Sequence, residues 1–445
     1  MQINGLYTDY YELTMAQAFF LRNRHLEEAT FDYFYRKAPF SGAYVIFAGA
    51  QTLADTLSNF VFDNEAITFL KKQGFDSSFL QWLSDFSLDV SIKMPPEGSI
   101  VFPNEPIAEI RGPVSHCMLL ETILLNIFNF ESLIATKASR MKNVMLPGQK
   151  LIDFGLRRAQ GFSGLYASRA AIIGGCDTSS NVLSGMVHNH PVGGTHAHSW
   201  IQSFPTELEA FQAYSETYPD ATTLLVDTYD TLESGILNSI KVAKELEKKG
   251  CRLKAVRLDS GDFRQLIPKV RTKLDKAGLE YVKIIVSDNI DEYKINDLNS
   301  GEVKADIFGV GTRLITGYDS PALNGVYKMS SLNGEPVIKR SDDTSKISLP
   351  GSKKVYRFIN NELFSHDIVQ TSSEEKPKDA HELHSVFWKA GEPYPKENLD
   401  QIKSRVKQQK LKLAPSLLRL EECGQYSIEI SAQLQILQKE MLSGI

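Results

Sequence analysis

Between residues 151 and 309 the chain repeats one rhythm: a short apolar run, a polar cluster at its end, then a helical pattern. The apolar runs cover residues 151–154, 224–226, 255–258, 283–286 and 307–309. Each is too short for a helix and bounded by polar residues. Each therefore reads as a parallel strand buried on both sides. Polar ends follow directly: Asp227-Thr228-Tyr229-Asp230, Asp259-Ser260-Gly261-Asp262, Ser287-Asp288-Asn289 and Gly309-Val310-Gly311-Thr312-Arg313. Helical patterns over 236–249 and 263–277 fill two of the gaps. Parallel strands joined by helices, with chemistry gathered at the strand ends, predict an α/β barrel; a doubly wound open sheet is the alternative.

The flanks have another character. A helix is expected over 9–20, strands over 29–36 and 44–47, and helical stretches with turns over 60–86. Residues 98–109, with Pro103 and Pro106, read as strand-turn-strand, and a long helical pattern runs over 117–141. A change of domain is placed near Val114. After Gly325, Asn333-Gly334 marks a hairpin turn between apolar runs at 326–330 and 336–339. A strand follows at 354–358 and an exposed polar loop at 372–382. The tail from Asn398 reads as helical stretches broken near Pro415 and Gly424. The expected division is thus 1–113, a barrel over 114–325, and a closing segment over 326–445. No internal repeat is visible.

Composition narrows the function. A chain of 445 residues can hold two or three domains with real cores. No unbroken run of about 18 apolar residues exists, so no transmembrane helix is expected. The stretch Met1-Gln2-Ile3-Asn4-Gly5-Leu6-Tyr7-Thr8-Asp9 has neither the basic nor the apolar segment of a signal peptide. Cys117, Cys176, Cys251 and Cys423 are widely spaced, which argues against a zinc site or disulfide framework and fits a reducing cytoplasm. A net charge of −5 gives no general attraction to nucleic acid, so an anionic substrate needs a local basic cluster.

Residues 151–200 hold the densest chemistry. Arg157 and Arg158 directly follow the strand Leu151-Ile152-Asp153-Phe154 and Gly155. Surface charge is the ordinary fate of arginine, but a pair capping a buried strand suits bidentate binding of phosphate or carboxylate. His198 stands behind the small-residue turn Gly193-Gly194-Thr195, where an imidazole can act as nucleophile or base. His196 would face the other way on an extended strand. His188 and His190 sit in a His-Asn-His-Pro turn, where solvent exposure is expected over metal binding. Residues 309–312 offer backbone N–H groups to a phosphate. Asp227, Asp230, Asp259 and Asp262 suit ribose hydroxyls or Mg²⁺, or else simply cap helices. The Lys403 to Lys412 run reads as a solvated helix face. No phosphate-loop GxxxxGK[ST], no dinucleotide GxGxxG after the first strand, and no acidic-pair-Thr-Gly-Gly-Thr loop is present. The residues alone describe an α/β-barrel enzyme for a phosphorylated, anionic small molecule.

Eight segments, in order, carry a resemblance. They are Thr8-Asp9-Tyr10-Tyr11-Glu12-Leu13-Thr14-Met15, Ser132-Leu133-Ile134-Ala135-Thr136-Lys137-Ala138, Phe154-Gly155-Leu156-Arg157-Arg158-Ala159-Gln160-Gly161 and Ser179-Ser180-Asn181-Val182-Leu183. Then come Gly194-Thr195-His196-Ala197-His198-Ser199, Leu225-Val226-Asp227-Thr228-Tyr229-Asp230, Arg257-Leu258-Asp259-Ser260-Gly261-Asp262 and Phe308-Gly309-Val310-Gly311-Thr312. Together they resemble the nicotinate phosphoribosyltransferase family over about residues 6 to 325, with a weaker likeness through Lys346-Ile347-Ser348-Leu349-Pro350-Gly351.

That resemblance implies a type II phosphoribosyltransferase fold: an irregular α/β barrel with an α/β sandwich domain built from both chain ends. It implies transfer of phosphoribosyl from PRPP to nicotinate, giving nicotinate mononucleotide and pyrophosphate for NAD salvage. It further implies Mg²⁺, and ATP hydrolysis coupled through a phosphohistidine at His198. Asp259 and Asp227 would hold ribose or Mg²⁺, Arg257 the phosphates, and Gly309, Gly311 and Thr312 the 5′-phosphate. The pyridine ring would stack between Phe154 and a Tyr11 donated by the second subunit of a homodimer, with Arg157 beside it. The related nicotinamide enzymes carry aspartate where Ser180 stands; a hydroxyl there can donate to the nicotinate carboxylate, which favours the acid over the amide. Ser287-Asp288-Asn289 departs from the glycine-containing form expected of the family. The rivals are a nicotinamide enzyme, a quinolinate enzyme, and a non-catalytic PRPP- or NAD-sensing protein on the same fold.

Overall fold

Six parallel strands form the sheet of the unit spanning residues 134–321. They are β1 Lys150–Asp153, β2 Thr178–Ser179, β3 Thr223–Leu225, β4 Ala255–Leu258, β5 Lys283–Ser287 and β6 Ile307–Val310. Their order is β2-β1-β6-β5-β4-β3. The first of the long strands lies beside the last, Lys150 opposite Ile307, which is the pairing that closes a barrel. Among the described residues no ladder joins β2 to β3, so the barrel stays open along that seam. A single bridge between Ser179 and Val192 lies beside it. The computed structural model describes residues 4–340, 347–392 and 394–444. Residues 1–3 of the N-terminal stretch, and Lys346 at the head of its segment, lie outside the described residues.

Five of these strands match the apolar runs to within a residue or two. β2 falls in the expected polar turn over 174–181 and is held by neighbours rather than by propensity. Asp177 N donates to Leu151 O at 2.8 Å and Ser180 N to Asp153 O at 2.8 Å. Side chains alternate across the sheet. Leu151, Val256, Leu258, Ile284, Val286 and Phe308 form one fully buried set, each worth about 1.5–3 kcal/mol on burial. The alternate set lines the cavities described below. Helices Ile236–Lys248 and Phe263–Lys276 occupy the expected crossovers.

Residues 1–133 and 322–445 together make the other unit. Its larger sheet is antiparallel, in the order Glu335–Pro336, Gly325–Leu332, Glu28–Tyr35, Ala108–Pro113, Ser91–Met94, Ser385–Lys389. The central strand Glu28–Tyr35 therefore takes one neighbour from each chain end. Asn333 and Gly334 adopt φ 51° and 84°, the left-handed pair that the tight hairpin requires. A four-stranded sheet joins His381–Glu382, Lys353–Asn360, Leu363–Thr371 and Ser427–Ile430. The first of these interrupts the expected loop over 372–382, and the last lies in the expected helical tail. This unit ends at 133 rather than 113 because Val114, Cys117, Leu120, Ile123, Leu124 and Phe128 belong to its aromatic-rich core.

One helix bears on the expectation that no segment crosses a membrane. Val114–Asn143 is long and apolar enough to cross a membrane by length and composition. Its most apolar window is 61% buried inside the protein, and buried Glu131, Lys137 and Arg140 lie along it. Those are the marks of a core helix.

Candidate active site

The carboxyl ends of β1, β4, β5 and β6 enclose a cavity of about 550 Å³. At the end of β1, the fully buried Asp153 organises the entrance. Its carboxylate accepts from Gly155 N at 2.7 Å, Ser168 Oγ at 2.8 Å and Ser179 Oγ at 2.7 Å. This ties the loop bearing Arg157 and Arg158 to the strand that precedes Ser180. Phe154, Arg157, Arg158 and Ser180 all line the cavity. Phe154 needs space, and Gly309 supplies it: a Cβ at that position would lie 2.5 Å from the phenyl ring. Gly309 thus has a packing reason beside the phosphate-binding one expected of it. Gly311 caps the short helix Thr312–Ile315, and Gly311 and Thr312 face the same cavity.

β4 contributes the charged centre. Arg257 sends Nη1 to Thr195 Oγ1 at 2.7 Å and stands 5.9 Å from the Phe154 ring centroid. Burial lowers its pKa; Asp259 and Asp227 pull the other way, and Arg157 adds to the lowering. Its Nε is buried with no hydrogen-bond partner. Asp227 Oδ2 accepts from Asp259 N at 2.9 Å and Ser260 Oγ at 2.6 Å, while Asp227 Oδ1 is buried without a partner. Buried polar groups are normally paired, so the orphaned Nε of cavity-lining Arg257, and the orphaned Oδ1 of Asp227 next to Asp259, suit ligand atoms. Ser287 Oγ donates to Asp259 Oδ1.

His198 opens the helix His198–Gln202 rather than ending a strand. Its Nδ1 lies 3.1 Å from Thr228 Oγ1 and its Nε2 is 3.8 Å from Asp259 Oδ2. His196 is turned into the protein, where its Nε2 accepts from Leu225 N at 3.3 Å. Burial, with help from Arg257 and His198, lowers its pKa to about 4, which keeps it neutral. His190 is buried, against expectation: Ser184 Oγ is 2.9 Å from Nε2 and Pro191 O is 3.0 Å from Nδ1. Asp230 and Asp262 are helix caps, accepting from the backbone N–H groups of Leu232 and Glu233, and of Arg264.

One cavity therefore gathers Phe154, Arg157, Ser180, His198, Arg257, Asp259, Gly309, Gly311 and Thr312 from distant parts of the sequence, with Asp227 behind Asp259. Tyr11 belongs to helix Tyr10–Leu21 of the other unit and is 44% exposed. Burial, and then Glu121, Glu12 and Asp9, push its phenol pKa up. Asp153, Thr195, Thr228 and Ser287 were quoted within sequence clusters but given no role of their own. A lone aspartate closing an apolar strand was the available signal for Asp153. Asp288, at φ 109°, and Asn289, at φ 45°, also line the cavity, in backbone conformations that glycine would adopt freely. Among the described residues no three His, Cys, Asp or Glu side chains cluster as a metal cage. Two carboxylates, one with an orphaned oxygen, suit Mg²⁺, which is held through one or two carboxylates plus substrate phosphates and water.

The family models that match carry the descriptions nicotinate phosphoribosyltransferase N-terminal domain over residues 6–129, nicotinate phosphoribosyltransferase family over 149–375, and C-terminal domain over 363–438. A nicotinate phosphoribosyltransferase of Bacillus subtilis is 41% identical over 364 residues, 80% of this chain and 73% of the relative. One from Mycobacterium tuberculosis is 36% identical over 437 residues, covering 97% of this chain and 92% of the relative. The solved structure of human nicotinic acid phosphoribosyltransferase superposes with a TM-score of 0.87 at 30% identity, covering 98% of this chain and 99% of that one. Sequence profile, relatives and fold agree along nearly the whole length, and the chain belongs to the nicotinate phosphoribosyltransferase family.

Proposed function

We propose that the chain transfers the phosphoribosyl group of PRPP to the ring nitrogen of nicotinate, the first step of NAD salvage from that acid. The observation that carries this is the single cavity where Phe154, Arg157 and Ser180 meet Arg257, Asp259 and His198. In the reaction the pyridine nitrogen bonds to C1′ of ribose, the C1′–O bond breaks, and pyrophosphate leaves with the electron pair. Ribose gains oxocarbenium character while the leaving oxygens gain charge. Preorganised cations are worth most where that charge develops. Arg257, half-buried with an unused Nε, and exposed Arg157 and Arg158 are suited to phosphate and carboxylate. Asp259 and Asp227 face the ribose or hold Mg²⁺, whose chemistry is to neutralise pyrophosphate as it departs. Gly311 and Thr312 receive the 5′-phosphate. Phe154 gives the pyridine ring a flat face, and the Ser180 hydroxyl donates to the carboxylate.

The transfer is coupled to ATP through His198. The imidazole takes the γ-phosphoryl group, ADP leaves, and water later hydrolyses the phosphohistidine. Thr228 and Asp259 support this role by fixing the ring on both sides. A carboxylate facing Nε2 also favours the positive charge that develops as the ring attacks phosphorus. A homodimer completes the site with Tyr11 of the partner subunit. Exposed apolar side chains close in sequence to the cavity-lining Arg158 and Ser180 support this: Phe162 is 82% exposed and Met186 74%, and Val182, Leu183 and Val187 are exposed too. Four free cysteines support a reducing, cytoplasmic setting.

The test is product formation from PRPP and Mg²⁺ with nicotinate or nicotinamide, each with and without ATP. Nicotinate mononucleotide, formed faster with ATP, is the expected result. Turnover of nicotinamide in its place overturns the reading of Ser180. No turnover of either base overturns the reaction. His198→Ala should abolish phosphoenzyme and ATP stimulation while sparing a slower PRPP-driven transfer; retained ATP stimulation would remove His198 from the coupling.

A further inference from the structure

The catalytic cavity occupies only one end of the strands. At their amino ends lies a second cavity, of about 460 Å³. The inward-facing rows that carry Arg257, Ser287 and Gly309 above carry Ala255, Ile285 and Ile307 two residues earlier. With Ile152 and Thr223 these make a largely apolar shaft. At its mouth stand Lys150, Arg252, Lys254 and Lys283. Phe154, Gly194 and Thr195 line both cavities, so they form the partition between them.

The mouth is unusual for this chain. The protein is net acidic at −5, yet four cations converge on one opening. Lys283 is paired with Asp306 at 2.9 Å, and the Arg252 guanidinium lies 4.9 Å from the Tyr281 ring centroid. Lys150 and Lys254 have no ion-pair partner among the described residues. Unneutralised cations around an apolar recess focus positive potential into it and attract anions. The shaft behind them favours a flat apolar body, and Tyr281 adds an aromatic wall. Its volume falls within the range of small-molecule sites. No histidine, cysteine or carboxylate lines it, so the chemistry offered is binding rather than reaction.

We propose that this second cavity binds an amphipathic organic anion, with a planar apolar body in the shaft and a phosphate or carboxylate group at the Lys150–Arg252–Lys254–Lys283 mouth. The site is separate from the catalytic cavity and does not depend on the reaction proposed there.

The probe is phenyl phosphate, titrated calorimetrically into the full-length chain. Benzoate runs alongside to separate a phosphate head from a carboxylate head, and inorganic phosphate and benzyl alcohol serve as head-only and body-only controls. Because phenyl phosphate can also enter the catalytic cavity, Arg157→Ala is titrated in parallel. The expected result is a binding event that Arg157→Ala retains and that the Lys150→Glu/Lys254→Glu double variant weakens by about tenfold or more, the scale of two lost charge contacts. That variant should keep its turnover of PRPP and base, and each control should bind more weakly than phenyl phosphate. Binding unchanged by the double variant, or lost entirely in Arg157→Ala, overturns the site. Should the charge reversals unfold the chain, Ile307→Phe decides: it fills the shaft, and undiminished phenyl phosphate binding in that variant overturns the proposal.

Discussion

Two arginines, one in each unit and one buried, the other half-buried, differ in how far their own protein satisfies them. Arg357 is 3% exposed and fully engaged. Its Nε and Nη2 reach Asp367 at 2.9 and 2.6 Å, Nη1 reaches Ile100 O at 2.9 Å, and Phe364 covers the guanidinium at 4.5 Å. Burial pulls its pKa down, but Asp367 and Glu105 more than offset this and it ends raised. Arg257, only half-buried, has one side-chain partner, an orphaned Nε and a pKa lowered mainly by burial. The first arginine is finished by its own protein. The second keeps a donor that its own protein does not use, which suits the anion-binding role proposed for it.

The strongest way to break this comparison is to remove each arginine. Arg357→Ala leaves Asp367 buried without its counter-charge and should cost about 3–5 kcal/mol of stability. Arg257→Ala should leave the melting temperature near that of the parent and slow turnover by roughly 10²–10³-fold. Thermal melts and steady-state rates on both variants decide it. Equal loss of stability in the two would show that Arg257 is structural as well.

Acid sharpens the comparison next, because each unit also holds a buried histidine whose pKa burial lowers. Burial lowers His116 and His196 to a pKa of about 4. Exposed imidazole titrates near 6.5. Between these values the unfolded chain binds protons that the folded chain refuses. The stability is therefore complete above about pH 6.5 and is lost as pH falls toward 4, on the order of 3 kcal/mol per residue. Denaturant titrations at pH 7 and pH 5 should show the loss, and His196→Gln should shrink it. An identical pH slope in that variant would mean His196 does not titrate in this window.

Smaller effects test the pocket lining. Ser180→Asp should move base preference from nicotinate toward nicotinamide by about 1–3 kcal/mol in kcat/KM, since a half-buried donor becomes an acceptor and a like charge. Unaltered preference would take Ser180 out of the base site. Asp288→Gly should raise stability by about 1 kcal/mol by relieving a φ that side chains rarely adopt. A fall in stability would show that the Asp288 carboxylate matters more than its backbone.

The sheet of the barrel unit was legible because parallel strands covered on both faces are plain apolar runs. Those same runs ended in Asp227, Asp259 and Gly309, so most of the cavity could be named in advance. What resisted was whatever tertiary contacts define. β2 is two polar residues with no period to detect. Asp153 reads only as one polar residue in an apolar strand, although three donors converge on it. His190 sits in a turn that looked wet and is pinned inside by Ser184. The first unit's extra helical segment, residues 114–133, was assigned to the barrel because a helix pattern does not say which core it joins.

The pairing of Glu28–Tyr35 with Gly325–Leu332 has a consequence for how the chain is born. On the ribosome this strand emerges early and meets Ala108–Pro113 soon afterwards, but its other edge has no neighbour until residue 332 is made. Throughout that interval the nascent protein presents an open, aromatic-rich strand edge, the kind of surface that recruits wrong partners. Residues 134–321, by contrast, form a contiguous unit that can fold while synthesis continues. The barrel unit can thus be complete while Glu28–Tyr35, made before it, still waits for one of its two neighbours.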